Sequence, residues 1–390
     1  MSLSPILRVA ARGDGVTGDG RHIAFTAPGD LIDADGAITP GPHHRTPPCR
    51  HFPECGGCQL QHLDDESYAA FCVDRIASAL DAQGLAAPIR AAALSPPDTR
   101  RRATLHAERG LLGFAVEGSH QLVDVRECHI LAPELFALIA PLRSLFQRLG
   151  LKRRADVHLT LADQGPDILI RGWSPEGLAA AEALTGFCQA NGVARLSLDD
   201  GLGPETRWEP QPVTITLGDV PVPLPPGAFL QATREGEAAL VAAAREAVGA
   251  ARTVADLFSG LGTFALALPA KVYAAEGARD AILSLKAAAN ARGRPVFADH
   301  RDLYRRPLTI AELNRFDAVV LDPPRAGARD QVEALAACTV GSIAYVSCNP
   351  ASFARDAKLM VAAGWRIDWI QPVGQFRWST HVELAARLSR

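Results

Sequence analysis

The sequence predicts an α/β protein whose C-terminal part, residues 226–390, is a doubly wound parallel sheet. Apolar runs of strand length alternate there with amphipathic helical segments, which is the pattern of successive βαβ units. Polar residues come directly after several of these runs, and ligands of such sheets bind beyond the carboxyl ends of the strands. The chain has 390 residues, too many for one ordinary core, so further domains are expected before this sheet.

The predicted elements of the C-terminal part follow one another in strand–helix order. A first helix is expected at 235–248 and a second at 278–291. The expected strands are 253–258, 271–276, 295–297, 316–321 and 343–346. Because helices separate these strands, neighbouring strands should be parallel.

Two mainly β parts are predicted before this sheet. Residues 1–45 alternate β-prone stretches with Gly and Asp turns and form a short β segment. Residues 46–225 form a central domain, which ends at the proline-rich stretch 221–226. Within it we expect helices at 67–80 and 133–149, a hairpin inside 106–125, and strands at 157–161 and 168–170.

Composition excludes several classes of protein. No window approaches the roughly 20 apolar residues of a membrane span, and the N-terminus lacks the pattern of a secretory signal. A cytoplasmic, monomeric protein without membrane contact is expected. The net charge of −3 argues against non-specific coating of nucleic acid, although basic clusters such as 100–102 could contact phosphates.

A glycine turn after the strand at 253–258 predicts a nucleotide-cofactor site. Glycines at 260 and 262 let the backbone approach a ligand, and Glu276 ends the next strand, where an acid can accept hydrogen bonds from ribose hydroxyls. Asp299, Asp302 and Asp322 follow later strands. No P-loop lysine is present, so the pattern favours S-adenosylmethionine, a cation without phosphates. These acids could instead cap helices.

Cys348 and Glu383 are the candidates for chemistry. Cys348 follows the apolar run 343–346, so its thiol is expected at a strand end, where it could add to C6 of a uracil ring and activate C5. Such a reaction also needs a base that removes the C5 proton, and Glu383 is the candidate. From the residues alone, Cys348 could be a buried structural thiol and Glu383 an acid on a surface helix.

Four further cysteines suggest a metal site. Cys49, Cys55 and Cys58 lie close together and Cys128 follows seventy residues later. Eight cysteines in a cytosolic chain do not indicate a disulfide framework. Four thiolates suit either zinc or an iron–sulfur cluster, and the spacing leaves both open.

The motifs together resemble those of a known family. Asp-Pro-Pro-Arg at 322–325, Ser-Cys-Asn-Pro at 347–350 and His-Val-Glu at 381–383 resemble the signature of the RNA uracil-C5 methyltransferases, which make 5-methyluridine in tRNA and 23S rRNA. The resemblance covers about residues 45–390. It implies a Rossmann-like, S-adenosylmethionine-dependent methyltransferase domain at 226–390, with Cys348 as nucleophile and Glu383 as base.

The same resemblance implies the cofactor contacts. At matching positions they are Gln231, Phe258, Thr263, Glu276, Asp302 and Asp322. Thr263 stands where relatives often carry Asn. The choice of Asp302 over Asp299 depends on how the segment at 301–303 is aligned.

The cysteine segments resemble one branch of the family. Residues 55–62 and 118–128 are similar to the 4Fe-4S segment of the 23S rRNA enzymes, which implies a cluster held by Cys49, Cys55, Cys58 and Cys128. The cluster would attach the cysteine loop to the central hairpin without redox chemistry. Residues 1–45 resemble the start of a TRAM domain but are too short for its full β-barrel. The implied partner is RNA, foremost 23S rRNA.

Three alternatives remain at this stage. The substrate could be tRNA. An amino-group methyltransferase would carry a base-stacking aromatic after Asp-Pro-Pro, where this chain has Arg325. A non-catalytic RNA-binding module could use the metal site as a structural staple.

Overall fold

The computed structural model describes residues 3–390 and begins with a small antiparallel sheet. Its strands, in the spatial order β3-β2-β1-β4-β5, are β1 (Ser4–Val9), β2 (Gly15–Thr17), β3 (His22–Ile23), β4 (Leu31–Ile32) and β5 (Ile38–Thr39). This is the short β segment expected from the Gly- and Asp-rich turns; residues 1 and 2 lie outside the described part.

Helix α1 (Asp65–Asp81) connects the cysteine loop to the C-terminal sheet. Asp64 caps the helix by accepting a hydrogen bond from the Ser67 amide at 2.9 Å. Its buried face, which includes Phe71 and Ile76, belongs to the same apolar core as the strands of the C-terminal sheet. The following strand, β6 (Ala93–Leu94), pairs with the edge of that sheet.

The central sheet has the order β13-β12-β11-β10-β7-β8-β9. Its strands are β7 (Arg102–Glu108), β8 (Leu111–Ala115), β9 (Leu122–Asp124), β10 (Ala155–Ala162), β11 (Gly165–Arg171), β12 (Arg195–Asp199) and β13 (Glu205–Trp208). Helices α2 (Pro133–Phe136), α3 (Ile139–Leu149) and α4 (Leu178–Ala190) contribute to the core beneath it. The expected hairpin is β8 and β9; the helix expected at 133–149 is divided into α2 and α3.

A hairpin of β14 (Thr214–Leu217) and β15 (Val220–Pro223) follows. The proline-rich stretch at 221–226 therefore begins as a strand. The prolines at 221 and 223 are compatible with this because β15 pairs only with β14 in the described sheets, which leaves its other edge free of ladder bonds.

The C-terminal part is an α/β sheet of order β18-β17-β16-β19-β20-β22-β21-β6. Its elements are α5 (Arg234–Val248), β16 (Thr253–Leu257), β17 (Lys271–Glu276), α6 (Arg279–Ala291), β18 (Val296–His300), α7 (Ile310–Leu313), β19 (Ala318–Leu321), α8 (Arg329–Ala337), β20 (Ser342–Ser347), α9 (Pro350–Ala362), β21 (Arg366–Gly374) and β22 (Glu383–Ser389). Strands β16 to β20 are parallel, which confirms the predicted fold class. The chain order reverses between β16 and β19, and in such sheets this is where a ligand crevice forms.

The segment after β16 forms successive turns, as the glycines predict, and Phe258, Gly260 and Gly262 have positive φ angles there. Glu383 begins strand β22, so the alternative that it is a surface helix acid does not hold. Strand β22 runs antiparallel to both β20 and β21.

Among the helices of residues 3–390, none has the length and apolar character needed to cross a membrane.

Candidate active site

A cleft of about 640 Å³ lies at the carboxyl ends of the parallel strands. The turn after β16, the end of β17 and the segments after β19 and β20 form its floor. Five residues predicted from the sequence line it together: Phe258, Glu276, Asp322, Cys348 and Glu383. The fold thus brings the candidate nucleophile, the candidate base and three candidate cofactor contacts to one place.

Cys348 is held at the cleft by the junction of β20 and α9. Asn349 caps α9 by accepting a hydrogen bond from the Ala351 amide at 3.1 Å, and its side-chain amide donates to the Arg325 carbonyl at 3.0 Å. Burial raises the pKa of the Cys348 thiol to about 11; the nearby carboxylates of Glu383 and Asp322 raise it further, whereas Arg325 lowers it. Cys348 is half-buried, so it is not the inert core thiol of the alternative interpretation.

Glu383 is almost fully enclosed at the start of β22, with 3% of its surface exposed. Burial raises the pKa of its carboxyl to about 7, and a hydrogen bond from the Gln375 side chain opposes that rise. The bond joins Gln375 Nε2 to Glu383 Oε2 at 2.7 Å. A carboxylate with a pKa near neutrality is suited to take up a proton and release it again.

Two aspartates, Asp322 in the cleft lining and the buried Asp256, have raised pKa values. Burial raises the pKa of Asp322 well above its usual range, and the nearby carboxylates of Glu383, Asp256 and Glu276 add to the rise. Asp256 is fully buried; its Oδ2 accepts a hydrogen bond from the Ala265 amide at 2.8 Å and so fixes the glycine turn, while burial raises its pKa to about 7. The sequence interpretation missed this role of Asp256.

Glu276, at the end of the neighbouring strand β17, accepts hydrogen bonds that fix the glycine turn. Its Oε2 accepts a hydrogen bond from the Gly260 amide at 2.9 Å, and its Oε1 accepts one from the Ala278 amide at 2.6 Å. Phe258 has a φ of 63°, and its ring packs against Tyr304 with 5.4 Å between centroids. The turn is therefore fixed before any ligand binds.

Three predicted cofactor residues are not among the residues that line this cleft in the described chain. Asp302 Oδ1 accepts hydrogen bonds from the amides of Tyr304 and Arg305 at 3.0 and 3.2 Å, so it organises the turn after β18. Thr263 is partly exposed within the glycine turn. Gln231 is buried and connects to the cleft through Gln375 at 2.8 Å. The competing candidate Asp299 accepts a hydrogen bond from the Tyr273 hydroxyl at 2.5 Å.

A second, enclosed cavity is lined by all four clustered cysteines, Cys49, Cys55, Cys58 and Cys128. None of them forms a disulfide. Burial raises the pKa of Cys58 to about 12, and repulsion from the neighbouring thiolates adds to the rise. Among residues 3–390, however, no three His, Cys, Asp or Glu side chains are arranged so that they could hold one metal ion.

The cysteine loop is attached to the central hairpin by its backbone. The Gly56 amide donates to the Ala115 carbonyl at 3.0 Å, and Cys55 forms a β-bridge with Val116. Arg100 also lines the cysteine cavity, and its positive charge favours the thiolates of Cys58 and Cys128. Sequence reasoning treated Arg100 only as a possible phosphate contact, since nothing in its neighbourhood in sequence reveals the cavity.

Gln375 and His381 contact residues of the cleft, Glu383 and Arg325, and the sequence interpretation assigned neither of them a role. Gln375 lies between Gln231 and Glu383, and Arg325 is 3.2 Å from His381 Nδ1. A polar residue directly after the short apolar run at 372–374 was the available signal for Gln375.

Comparisons with known proteins identify the relatives of this chain. The family described as tRNA (Uracil-5-)-methyltransferase matches residues 296–390, which include Asp322, Cys348 and Glu383. An uncharacterised RNA methyltransferase of Zymomonas mobilis is 52% identical over 100% of both chains. The 23S rRNA (uracil(1939)-C(5))-methyltransferase RlmD of Pectobacterium atrosepticum is 32% identical over 90% of this chain and 81% of its own.

A solved structure shares the fold. The tRNA (uracil-54, C5)-methyltransferase of Pyrococcus abyssi, in complex with S-adenosyl-L-homocysteine, superposes with a TM-score of 0.77 over 99% of both chains at 23% identity. Because the Pectobacterium enzyme is 32% identical over 90% of this chain and the family matches residues 296–390, the chain belongs to the RNA uracil-5-methyltransferase family.

Proposed function

We propose that the protein methylates C5 of a uridine in 23S rRNA, with S-adenosylmethionine as methyl donor. The observation that carries this proposal is the meeting of Cys348 and Glu383 in one cleft, where a thiol nucleophile and a carboxyl with a pKa of about 7 share the space. Uracil C5 methylation needs both groups, whereas methylation of an amino group needs no thiol.

The chemistry assigns one role to each residue. The Cys348 thiol loses its proton to solvent, the resulting thiolate Sγ forms a bond to C6 of uracil, and the electron pair of the C5–C6 double bond moves toward C5 and O4 as an enolate. After C5 has gained its methyl group, Glu383 removes the C5 proton; the freed electron pair restores the double bond and expels the Cys348 thiolate. When bound, S-adenosylmethionine supplies the methyl group and a positive sulfonium charge.

The residues around the cleft fit that cofactor. Glu276 and the fixed glycine turn at 258–262 would hold its nucleoside part, and Gln231 would donate to its carboxylate. Thr263, Asp302 and Asp322 complete the proposed contact set. The lining suits a cation, because Glu276 brings a carboxylate to the cleft and no basic phosphate loop is present.

The proposed RNA target rests on the relative from Pectobacterium, whose name specifies 23S rRNA. The target uridine would be flipped out of its stack into the cleft, since a base within a duplex cannot reach Cys348. The expected place of action is the cytoplasm. We assign the cofactor and chemistry to residues 226–390, and RNA docking to the central domain, 46–225, and the short N-terminal segment, 1–45.

We further propose that Cys49, Cys55, Cys58 and Cys128 hold a 4Fe-4S cluster. Four thiols around one cavity supply its ligand set. A zinc ion would need all four sulfurs about 2.3 Å from one centre, and the described residues offer no such arrangement. Ligands of a cluster each bind a different iron and are therefore farther apart. Bound metal would also favour the thiolate forms.

Trapping with RNA that contains 5-fluorouridine tests the proposed reaction. Fluorine at C5 cannot leave as a proton, so the wild-type protein with S-adenosylmethionine should form a stable covalent RNA adduct at Cys348, visible as a shifted band on a denaturing gel. Cys348→Ala should form none, and the buried-thiol control Cys188→Ala should form as much as the wild type. A wild-type protein that transfers methyl groups without any adduct would contradict the mechanism.

Mapping of 5-methyluridine tests the target. Loss of one methylated position in 23S rRNA on deletion of the gene, restored by the wild type but not by Cys348→Ala, is expected. Loss confined to tRNA would overturn the rRNA assignment and leave the chemistry intact.

A further inference from the structure

Gln375 lies between the proposed cofactor site and the proposed base. It follows β21 directly, two residues beyond the position where Val373 pairs with Glu383 in the β21–β22 ladder. Its side chain is buried, with 2% of its surface exposed. A buried amide at this point is costly unless its donors and acceptor are all bonded.

The hydrogen bonds of Gln375 fix which way its amide points. The Ala232 backbone N–H donates to Gln375 Oε1 at 2.9 Å, and because that N–H can only donate, the oxygen must face it. The amide nitrogen then faces two acceptors, Gln231 Oε1 at 2.8 Å and Glu383 Oε2 at 2.7 Å. Both N–H groups are therefore used, one on each partner.

This geometry has a consequence for each partner. Since Gln231 Oε1 is occupied, the end of Gln231 that remains for a ligand is its N–H₂ donor, which matches an anionic carboxylate. Since Glu383 Oε2 is occupied, Oε1 is the oxygen that remains for a proton. In the described residues, Gln375 supplies the side-chain hydrogen bond that Glu383 accepts, and such a bond favours the ionised carboxylate.

The first turn of α5 leaves room for Gln375. Gly236 lies against it, and a Cβ added at Gly236 would be 2.5 Å from Gln375 Cβ and 2.9 Å from Gln375 Oε1. Any larger residue at 236 would displace the Gln375 side chain. The position of Gln375 is therefore determined by a second element as well as by its own hydrogen bonds.

We propose that Gln375 is a positioning residue that couples the two halves of the reaction, orienting Gln231 as a donor toward the cofactor carboxylate and holding Glu383 as the ionised base. This rests on the proposed function for the role of Glu383. The part concerning Gln231 does not require catalysis, because it concerns cofactor binding alone.

The interpretation of a pH–rate profile must include the titratable and charged groups around Glu383. Asp322 after β19 and the Cys348 thiol after β20 face it across the cleft, with Asp256 and Glu276 behind Asp322 and Arg325 beside Cys348. Burial opposes ionisation of Glu383, and the Gln375 hydrogen bond acts against that effect. Removing the Gln375 hydrogen bond should raise the pKa of Glu383 and so move the acidic limb of the pH–rate profile to higher pH.

The test compares Gln375→Met with Gln331→Met. Methionine keeps the length of glutamine but cannot donate. Gln331 is an equally buried amide that bonds the Leu308 backbone away from the cleft, so its replacement controls for the general cost of losing such a residue. In Gln375→Met we expect the acidic limb of kcat/KM to move to higher pH by about one to two units. We also expect the Kd for S-adenosylmethionine to rise about tenfold, as measured by calorimetry without RNA.

A second variant acts through Gly236. Gly236→Ala leaves Gln375 chemically intact but displaces it, and it should reproduce both changes in the same direction. If Gln375→Met and Gly236→Ala fold but keep the pH limb and the Kd within twofold of Gln331→Met, the inference is overturned.

Glu383→Gln separates this inference from the proposed function. If that variant still methylates RNA, Glu383 is not the base and the proposed function fails in that part, while a raised Kd in Gln375→Met would still support the orientation of Gln231. If Glu383→Gln is inactive and Gln375→Met is unchanged, the function stands and the inference fails.

Discussion

At the scale of single residues, burial of Glu383 suits its carboxyl to proton transfer but lowers the stability of the folded protein. The folded pKa of about 7 lies above the ordinary value of 4.5 because the carboxyl is buried. The folded protein therefore binds this proton more tightly than the unfolded chain does. Stability falls as the pH rises from about 4.5 to 7, and above 7 the full cost, on the order of 3 kcal/mol, is present.

Replacing Glu383 by glutamine should therefore stabilise the protein in a pH-dependent way. We expect Glu383→Gln to raise the free energy of unfolding by about 1–3 kcal/mol at pH 8 and by little at pH 4.5, because only the ionised carboxylate is disfavoured. Urea unfolding at the two pH values measures this. Glu182→Gln, at an exposed position in α4, should show no such difference. An equal effect at both pH values would mean that burial of the charge is not the cause.

At the scale of elements, the attachment of the cysteine loop to the hairpin depends on one glycine. A Cβ at Gly56 would lie 2.7 Å from the Ala115 carbonyl oxygen, a backbone atom of β8 that has little room to move. Gly56→Ala should lower the free energy of unfolding by about 1–3 kcal/mol through overpacking.

Gly186 in α4 offers the matched control, because a Cβ there meets nothing within 4 Å. Gly186→Ala should be neutral or slightly stabilising, since alanine favours the helix. If both variants unfold at the same urea concentration as the wild type, the close approach of a Cβ at position 56 to the Ala115 carbonyl does not destabilise the protein.

The elements also show which parts of the fold the sequence could predict. The parallel strands β16 to β20 were predictable, since apolar runs and helices alternate along the chain. The antiparallel strand β22 was not, because its residues are nearly all buried and show no period-two alternation. Glu383 could therefore be proposed as a base from its motif, but its burial and its bond to Gln375 depend on pairing with β21.

At the scale of the whole molecule, the cysteine loop supports the segment that leads to Glu383. The Trp378 carbonyl accepts hydrogen bonds from the amides of Gln59 and Leu60 at 2.8 and 2.9 Å. Tyr68 in α1 donates to the Phe376 carbonyl at 3.0 Å, and Arg377 forms an ion pair with Asp65. These contacts join residues about 300 positions apart, so no local pattern in the sequence could reveal them.

Loss of the proposed cluster should therefore affect the whole protein rather than the cofactor site. We expect Cys58→Ser to lose most of its iron and sulfide after anaerobic purification, to have a lower Tm and to have a lower kcat, because the 376–382 segment loses support. Its Kd for S-adenosylmethionine should change by less than about threefold, since Glu276 is fixed by the Gly260 and Ala278 amides and not by the cysteine loop.

The control for this experiment is Cys188→Ser, which alters a buried thiol in α4. It should keep the iron and sulfide content of the wild type even if it is less stable. The proposed cluster would be refuted if the wild-type protein contained no iron, or if Cys58→Ser contained as much iron as the wild type.

The raised pKa of Cys348 has a consequence for the resting protein in the cell. With a pKa of about 11, roughly one thiol in ten thousand is ionised at neutral pH. Peroxide and electrophilic metabolites attack the thiolate, so a cleft without substrate presents them with a nearly unreactive sulfur. Burial of the Cys348 thiol, together with the nearby carboxylates, should therefore slow oxidative inactivation between turnovers.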